Sequence, residues 1–329
     1  EGQPLDKIFI GLQGGGVCVF EEDCTAKKIA APGLFTAQDD MPLGTGIASD
    51  DPTVSRFANW TKVYMPYCTQ DVFAGGGITE DLGDLQLPRY GSVNLRASVR
   101  MLRDLLWKMK DAEDGAGWRD DKVKAFVGGW SAGSYGTLYN YHWFLDDLRW
   151  PQTTAFPDAG MALDNGELLG VKGLGDIKIP MWGTLPQLPP YCFAGKCALG
   201  PVLLEALSPR LKRVPMQQVL VLSNPKDKTQ MNDAYFKDEA KGGNAMRWAV
   251  GETRDLPGVA YYLTSTSTAD IHVVTLRPTL WNGSIDGETM KAWFERAIDD
   301  PDTITTRVEE ADFVKAIPGV KPFPCKVSP

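Results

Sequence analysis

Short apolar segments alternate along this chain with longer segments in which apolar residues recur at helical spacing. The apolar segments of strand length lie at residues 7–12, 62–67, 124–128, 153–156, 219–222 and 259–263. Helical periodicity marks residues 92–111 and 287–298, and a further helix is expected at about 134–148. This alternation is typical of an α/β protein with a mostly parallel central sheet flanked by helices. Because no linker or repeat interrupts it, we expect a single domain over residues 1–329.

A proline-rich segment breaks the alternation at residues 179–201. It contains two cysteines, and its other distinctive residues are Pro180, Trp182, Pro186, Pro189, Pro190 and Tyr191. Proline lacks the N–H group that an interior strand donates, so prolines at this density exclude the segment from the sheet. We therefore expect an insertion that covers one end of the sheet as a lid.

The sequence Gly129-Trp130-Ser131-Ala132-Gly133 joins a predicted buried strand to a predicted helix. It fits the pattern G-x-S-x-G, in which a serine sits on a sharp turn between strand and helix and small neighbours avoid a clash. The serine hydroxyl then projects above the carboxyl end of the sheet, beside a helix N-terminus that favours negative charge. Ser131 is therefore a candidate nucleophile; the alternative is a glycine-rich joint with a serine of no chemical role.

A serine nucleophile needs a general base, and the chain contains two histidines. His142 follows Ser131 by eleven residues, which on one helix is a rise of roughly 16 Å. That separation excludes a hydrogen bond, so His142 is expected to be structural. His272 is left as the base, and it follows the last predicted strand; the alternative is a histidine packed in the core. Two histidines also argue against a multi-histidine metal site, and we expect no metal or organic cofactor.

Several aspartates qualify as the third member, which orients the imidazole. Enzymes with a G-x-S-x-G turn of this kind carry their triad in the chain order Ser, acid, His, which places the acid between Ser131 and His272. Asp227 is favoured because it follows the penultimate predicted strand, and Asp158, which follows an earlier strand, is the main alternative. Asp164 is a further candidate, whereas Asp270 is only two residues from His272 and would need an awkward bend.

Acyl transfer also needs hydrogen-bond donors for the developing oxyanion. In enzymes with a G-x-S-x-G turn the residue directly after the serine supplies one such donor, which here is the backbone N–H of Ala132. The turn Gly14-Gly15-Gly16 after the first strand fits the other half of the hole, because glycines let the backbone approach a substrate closely. The alternative, a phosphate-binding loop, lacks the pattern G-x-x-x-x-G-K-[ST].

Composition excludes several other classes of function. Hydrophobic residues make up 43% and charged residues 23%, which is ordinary globular usage and argues against a disordered chain. A net charge of −8 argues against a broad electrostatic interaction with nucleic acid or anionic lipid. No apolar run approaches the roughly 20 residues of a membrane-spanning helix.

Six cysteines indicate an oxidising compartment. Two close pairs favour disulfides Cys18–Cys24 and Cys192–Cys197, which leaves Cys68–Cys325 as the third pair. The chain also begins at Glu1, which fits the removal of a leader, and we expect a secreted or periplasmic protein. The alternatives are reduced thiols in a cytosolic enzyme and, with less support from the spacing, a zinc site.

Six short segments between residues 8 and 275 carry a further signal through their order along the chain. They are Leu12-Gln13-Gly14-Gly15-Gly16-Val17-Cys18 with Cys24, Met65-Pro66-Tyr67-Cys68-Thr69-Gln70-Asp71-Val72, Gly129-Trp130-Ser131-Ala132-Gly133, Asp158-Ala159-Gly160, Asp227-Lys228-Thr229-Gln230 and Ile271-His272. Each segment alone is modest, but the ordered set resembles the pectin acetylesterase / Notum carboxylesterase family.

This resemblance implies an α/β-hydrolase fold and a secreted serine esterase that acts through an acyl-enzyme. It implies Ser131 as nucleophile, Asp227 as acid and His272 as base. The implied oxyanion donors are the N–H groups of Gly15, Gly16 and Ala132.

The substrate is open at this stage. An acetylated polysaccharide calls for a shallow cleft with aromatic platforms, whereas a fatty-acyl ester or a polyester calls for an apolar pocket or face. Trp130 and Trp182 are candidates to line such a pocket, and core packing is the alternative for each. A non-catalytic secreted binding module on a hydrolase scaffold is the competing hypothesis; such a module would have lost a triad residue, and none is lost here.

Overall fold

Strands and helices alternate through most of the chain, as the hydrophobic pattern predicts. The computed structural model describes residues 4–36, 44–114, 122–163, 181–187, 200–230, 239–264 and 271–309. The strands in these residues are β1 (Lys7–Leu12), β2 (Thr61–Met65), β3 (Ile78–Leu82), β4 (Leu85–Arg89), β5 (Lys124–Trp130), β6 (Gln152–Asp158), β7 (Gln217–Ser223), β8 (Val259–Leu263), β9 (Ser284–Ile285), β10 (Glu288–Thr289) and β11 (Arg307–Val308). The α-helices are α1 (Glu21–Ala30), α2 (Gly91–Asp114), α3 (Ala132–Trp143), α4 (Gly200–Arg213), α5 (Glu239–Thr253), α6 (Pro278–Trp281) and α7 (Met290–Asp299).

Seven strands of the described residues form one parallel sheet in the order β2-β1-β5-β6-β7-β8-β11. The five strands from β1 to β8 in this order are buried along nearly their whole length. Such strands are typical of a parallel sheet with both faces covered by helices. The predicted α/β-hydrolase fold class is confirmed. Because all seven strands run in one direction, their carboxyl ends lie at the same edge, where ligands bind in open α/β sheets.

The two faces of the sheet pack against separate cores. Side chains of Ile8 and Ile10 belong to a core shared with α2, α3, α4 and α5. The intervening Phe9 belongs to the opposite core, which contains Phe126 and, from α7, Phe294. The rings of Phe126 and Phe294 lie 6.4 Å apart. Successive strand residues point to opposite faces, so one strand contributes to both cores.

The last predicted helix begins later than expected. The pattern predicts a helix over 287–298, but Asp286 and Gly287 have φ of 52° and 80° and form the turn between β9 and β10. Positive φ at both central residues is the geometry of a two-residue type I′ hairpin, for which Asp-Gly is a preferred sequence. The helix starts at Met290, where the Thr289 hydroxyl accepts a hydrogen bond from the first turn as an N-cap. The helix expected at 134–148 is α3 followed directly by a π-helical turn, Phe144–Leu148.

One of the three predicted disulfides lies within the described residues. Cys18 and Cys24 are bonded, which joins the segment after β1 to α1. Cys68 has no disulfide partner in the described part of the chain. The cysteines of the other predicted pairings that lie outside that part are Cys325, Cys192 and Cys197. Those two pairings remain predictions.

Residues 181–187 are the described part of the predicted insertion 179–201. They pack against the segment that precedes β3. The Gly76 N–H donates to the carbonyl of Trp182, and the Thr184 hydroxyl donates to the carbonyl of Ala74. The lid and the single-domain organisation remain predictions. None of the helices described is long and apolar enough to cross a membrane.

Candidate active site

Ser131 occupies the sharp turn between β5 and α3. Its φ and ψ are 56° and −116°, a conformation that non-glycine residues rarely adopt and that marks stored strain. Close packing dictates the glycines on either side. A Cβ atom on Gly129 would lie 2.3 Å from the carbonyl oxygen of Gly133, and one on Gly133 would lie 2.2 Å from the carbonyl oxygen of Leu12. The two glycines thus let strand β1, strand β5 and the turn approach one another.

A cavity of about 570 Å³ opens at the carboxyl edge of the sheet beside this turn. Five of the residues predicted to carry chemistry line it: Gly14, Gly15, Gly16, Ser131 and His272. The rest of its wall is largely apolar and is formed by Leu34, Tyr64, Trp130, Val273 and Leu276, together with Gln13 and Thr229. The carboxyl ends of β1, β5, β7 and β8 therefore deliver their following loops to one place.

The imidazole of His272 is paired with Asp227, in the loop after β7. Nδ1 of His272 lies 2.6 Å from Oδ2 of Asp227, and the carboxylate is 1% exposed. Asp227 also accepts hydrogen bonds from the Thr229 N–H at 2.9 Å and from Gln230 Nε2 at 2.7 Å. These bonds fix the carboxylate. The other ring nitrogen of His272, Nε2, makes no hydrogen bond within the described residues.

Asp158, the main alternative for the acid, contacts the loop after His272 instead of the ring. It is fully buried at the end of β6 and accepts hydrogen bonds from the N–H groups of Val274 at 3.0 Å and Thr275 at 2.8 Å. The Thr275 hydroxyl donates a third at 2.6 Å. Burial raises the pKa of Asp158 to about 6, against the lowering effect of the bonds from Thr275 and Val274. Its backbone carbonyl accepts the N–H of Ser131 at 2.9 Å.

The triple-glycine turn lies beside Ser131, as predicted. Gly15 and Gly16 have φ of 142° and 68°, which L-residues with side chains rarely adopt. A Cβ atom on Gly14 would lie 3.3 Å from Cβ of Ser131. Ala132 is the first residue of α3, so its N–H is one of the unpaired donors at a helix N-terminus. Gly15 and Gly16 therefore share the cavity wall with Ser131, and Ala132, which is not among the described lining residues, follows Ser131 directly.

The two tryptophans assigned to the pocket have different environments. Trp130 lines the cavity, and its Nε1 donates to the Thr275 hydroxyl at 2.9 Å. Trp182 corrects the prediction: it is fully buried and lies outside the described wall of the cavity. Its Nε1 donates to Glu80 at 2.9 Å, and the guanidinium of Arg89 lies 4.7 Å from the ring centroid. The ring is buried in the core and its N–H has a hydrogen-bond partner there. Trp182 therefore has the core-packing role that the sequence left open as the alternative.

His142 is remote from the cavity, as its spacing from Ser131 predicts. It lies in α3, nearly buried, and its Nε2 lies 3.0 Å from the carbonyl oxygen of Gln187. Burial lowers the pKa of His142 to about 4. Two aspartates considered as the acid, Asp164 and Asp270, lie outside the described residues.

Several residues of the site were not among the predicted site residues. Gln230 and Thr229 hold Asp227 from the same loop, and the run Asp227-Lys228-Thr229-Gln230 is the signal that contains them. Leu34 and Tyr64 reach the cavity from a 3₁₀ turn and from β2, and no local pattern marks them. The described residues contain no group of three His, Cys, Asp or Glu side chains placed to hold a metal ion.

Comparison with known proteins identifies a family. The sequence profile described as Pectinacetylesterase matches residues 1–177, which include the glycine turn, Ser131 and Asp158. The palmitoleoyl-protein carboxylesterase NOTUM of Mus musculus is 30% identical over 173 residues, 50% of this chain and 32% of that protein. Pectin acetylesterase 5 of Arabidopsis thaliana is 28% identical over 173 residues, 51% of this chain and 37% of that protein.

The fold comparison extends through both chain halves. The structure of the Wnt deacylase Notum from Drosophila superimposes with a TM-score of 0.70 at 18% identity, covering 92% of this chain and 87% of that one. The alignments to the curated relatives named above span only about a third of their length, 32 to 37%. The profile match covers more than half of the 329 residues. The chain therefore belongs to the pectinacetylesterase family.

Proposed function

We propose that this protein is a secreted or periplasmic carboxylesterase in which Ser131, His272 and Asp227 form the catalytic triad. The observation that carries the proposal is the state of the His272 ring. One nitrogen is held by a buried carboxylate, the other makes no hydrogen bond within the described residues, and the ring shares a cavity with Ser131. Membership of the pectinacetylesterase family and the names of the curated relatives support ester hydrolysis as the reaction.

Asp227 sets the tautomer of His272. A carboxylate accepts but does not donate, so Nδ1 carries the proton and Nε2 is the free acceptor. Nε2 takes the hydroxyl proton of Ser131 while Oγ attacks the ester carbonyl carbon, and the carbonyl electron pair moves onto oxygen. The resulting imidazolium is stabilised by Asp227.

The tetrahedral intermediate collapses when the ester C–O bond breaks. His272 gives its proton to the departing alcohol, and the acyl group remains on Ser131. A water molecule then loses a proton to Nε2 and attacks the acyl carbon, and the second collapse returns that proton to Ser131 Oγ and releases the acid. The N–H groups of Gly15, Gly16 and Ala132 are proposed to bind the negative oxygen of both intermediates, each worth a factor of about 10²–10³ in rate.

The cavity wall favours a substrate with an apolar part. Leu34, Tyr64, Trp130, Val273 and Leu276 surround the reacting groups, and a volume of about 570 Å³ is within the range of pockets that hold small molecules. An acetyl group fills only a small share of that space. Acetyl esters of polysaccharides are the substrate class nearest to the family name, and longer fatty-acyl esters are the second candidate because of this apolar wall.

Covalent labelling tests the proposed chemistry directly. Diethyl p-nitrophenyl phosphate should release p-nitrophenol and add one diethylphosphoryl group to the peptide that contains Ser131. Ser131→Ala should be neither labelled nor active, and His272→Ala should lose p-nitrophenyl ester hydrolysis. The matched control is Ser284→Ala, an exposed serine in β9. Labelling at another residue, or full activity of Ser131→Ala, would rule the triad out.

A panel of esters tests the substrate class. Initial rates with p-nitrophenyl acetate, butyrate, octanoate and palmitate give kcat/KM against chain length. Release of acetate from pectin and from acetylated xylan, measured beside release of acid from tributyrin and a polyester, separates polysaccharide from lipid and polymer substrates. A non-catalytic binding module would hydrolyse none of them.

A further inference from the structure

A lysine that is not part of the described cavity wall contacts the glycine turn. Lys27 lies in α1, half-buried, and its ammonium donates a hydrogen bond to the carbonyl oxygen of Gly15. A Cβ atom on Gly16 would lie 3.0 Å from Nζ of Lys27. Lys27 is not among the described residues that line the cavity, whereas Gly15 and Gly16 are. The ammonium therefore contacts the turn without forming part of the described cavity wall.

The hydrogen bond fixes the direction of one peptide group. Among the described residues, Gly15 and Gly16 make no backbone–backbone hydrogen bond outside helices and strands. Glycine has no side chain to restrict rotation of the peptide plane, so this turn has little local resistance to a flip. The peptide bond between them is trans, and in a trans peptide the C=O and the N–H point in opposite directions. With the Gly15 carbonyl turned to Lys27, the Gly16 N–H points away from the ammonium.

The helix that carries Lys27 is itself attached to the segment after the turn. The Cys18–Cys24 disulfide joins that segment to α1, and Lys27 follows Cys24 by three residues, on the same side of the helix. A buried arginine, Arg89, donates to the Cys18 carbonyl at 3.2 Å. These contacts connect the helix that carries Lys27 to the segment after the turn.

Burial of this ammonium is unfavourable for the folded protein. Burial lowers the pKa of Lys27 to about 8; Asp23 on the same helix raises it and Arg89 on β4 lowers it further.

We infer that Lys27 is a positioning residue for the ester hydrolysis proposed above: it holds the Gly15–Gly16 peptide so that the Gly16 N–H faces the oxyanion. The inference rests on the proposed function. Lys27 touches no reacting atom, and its effect is expressed through the backbone donor. Loss of the ammonium leaves the peptide free to turn its carbonyl toward the cavity, where the oxygen would repel the oxyanion.

Three substitutions test this role. Lys27→Met removes the ammonium and keeps an unbranched chain, Lys27→Arg keeps a cationic donor, and Lys28→Met removes a charge from the exposed neighbouring position. We expect Lys27→Met to lower kcat by about 10- to 100-fold with KM changed less than about threefold, as for partial loss of one oxyanion donor. Its thermal midpoint should equal or exceed that of the wild type. Lys27→Arg should recover at least a third of the lost activity, and Lys28→Met should match the wild type.

Two further measurements distinguish positioning from general structural support. An aryl trifluoromethyl ketone accepts Ser131 Oγ at its carbonyl carbon and leaves a negative oxygen in the hole, so its Ki should rise by the same factor as kcat falls. The pH profile should also respond: above about pH 8 the ammonium loses its proton and becomes a weaker, uncharged donor, so wild-type kcat should decline there while Lys27→Met shows no such decline.

Each result bears on the inference separately from the triad. If Ser131 is labelled but Lys27→Met keeps kcat and Ki within twofold of the wild type, the inference is wrong and the triad stands. An activity loss that Lys27→Arg does not restore, with a lowered thermal midpoint and an unchanged ratio of Ki to KM, assigns Lys27 a structural role and also overturns it. If Ser131 is not labelled at all, both proposals fall together.

Discussion

Nδ1 of His272 lies 2.6 Å from Oδ2 of Asp227, although the two residues are 45 positions apart in sequence. The loops after β7 and β8 bring them together because these two strands are neighbours in a parallel sheet. The pair occupies one ring nitrogen and leaves the other, Nε2, without a hydrogen bond within the described residues.

The Asp227→Asn variant tests this pair. An asparagine can present an N–H₂ group to Nδ1, which favours the tautomer with the proton on Nε2 and removes the base. We expect kcat for p-nitrophenyl acetate to fall by about 10³–10⁴-fold while KM changes little. The matched control is Asp255→Asn, because Asp255 is 89% exposed, and it should retain wild-type kcat. A loss below tenfold in Asp227→Asn would contradict the assignment.

The Asp158→Asn variant tests whether the Asp158 side chain stabilises the loop after His272. The buried carboxylate accepts three hydrogen bonds from Val274 and Thr275, and an amide can accept only part of them while its own N–H₂ faces a donor. We expect the free energy of unfolding at pH 7, where the carboxylate is ionised, to fall by about 1–3 kcal/mol. Urea denaturation followed by circular dichroism measures it, and an unchanged midpoint would show that these bonds are dispensable.

The same pair of proteins gives a prediction for pH. The folded pKa of Asp158 is raised to about 6, above the ordinary aspartate value of 3.8, so the folded state binds more protons between these pH values. Its stabilising contribution is full below about pH 4 and is lost as the pH rises through 6. Because the asparagine does not titrate, the stability advantage of the wild type over Asp158→Asn should shrink between pH 4 and pH 7. An advantage that grows with pH would have the wrong sign.

Gly133→Ala tests the close approach at the serine turn. The added methyl group would lie 2.2 Å from the Leu12 carbonyl oxygen, which is backbone and cannot move aside. We expect a loss of at least about 1–3 kcal/mol in unfolding free energy, together with lower activity. Gly251→Ala in α5 is the control, since a Cβ there meets nothing within 4 Å. That change should stabilise the protein by about 0.5–1 kcal/mol, so equal effects of the two substitutions would refute the packing argument.

The Cys18–Cys24 disulfide has its own test. Replacement of both cysteines by alanine should lower the unfolding free energy by about 2 kcal/mol through the entropy of a short closed loop. Thiol titration of the unfolded variant checks that the cross-link is absent. Reducing agent should lower the thermal midpoint of the wild type more than that of the variant; equal shifts would place the sensitive disulfide elsewhere.

Local signals in the sequence predict the parallel sheet and the sharp turn at Ser131. Buried strands are recognisable from continuous apolar runs, and the turn carries its own glycine pattern. Histidine was assigned by elimination, because only two are present. The choice between Asp227 and Asp158 was not local: both follow buried strands, and only the path of the loop after β8 decides which carboxylate meets the ring and which meets the backbone.

Elements without an apolar stripe were missed. Helix α1 buries one residue, Cys24, so hydrophobic periodicity cannot reveal it; acidic residues in its first turn and basic ones in its last stabilise it instead. Lys27 was missed with it, since its role depends on a carbonyl twelve residues earlier. The prediction for Trp182 is wrong because its partners, Arg89 and Glu80, lie about a hundred residues away in sequence. No local pattern around Trp182 indicates these contacts.

The double use of Asp158 has a consequence for adaptation of the enzyme. Its carbonyl accepts the N–H of Ser131 and its side chain accepts the N–H of Thr275, so one residue connects the segments of the proposed nucleophile and the proposed base. Leu34 and Tyr64 line the same cavity as Ser131 and His272 but belong to other parts of the chain. Substitutions at those two positions can therefore change the shape of the cavity without altering the residue that connects Ser131 to the loop of His272.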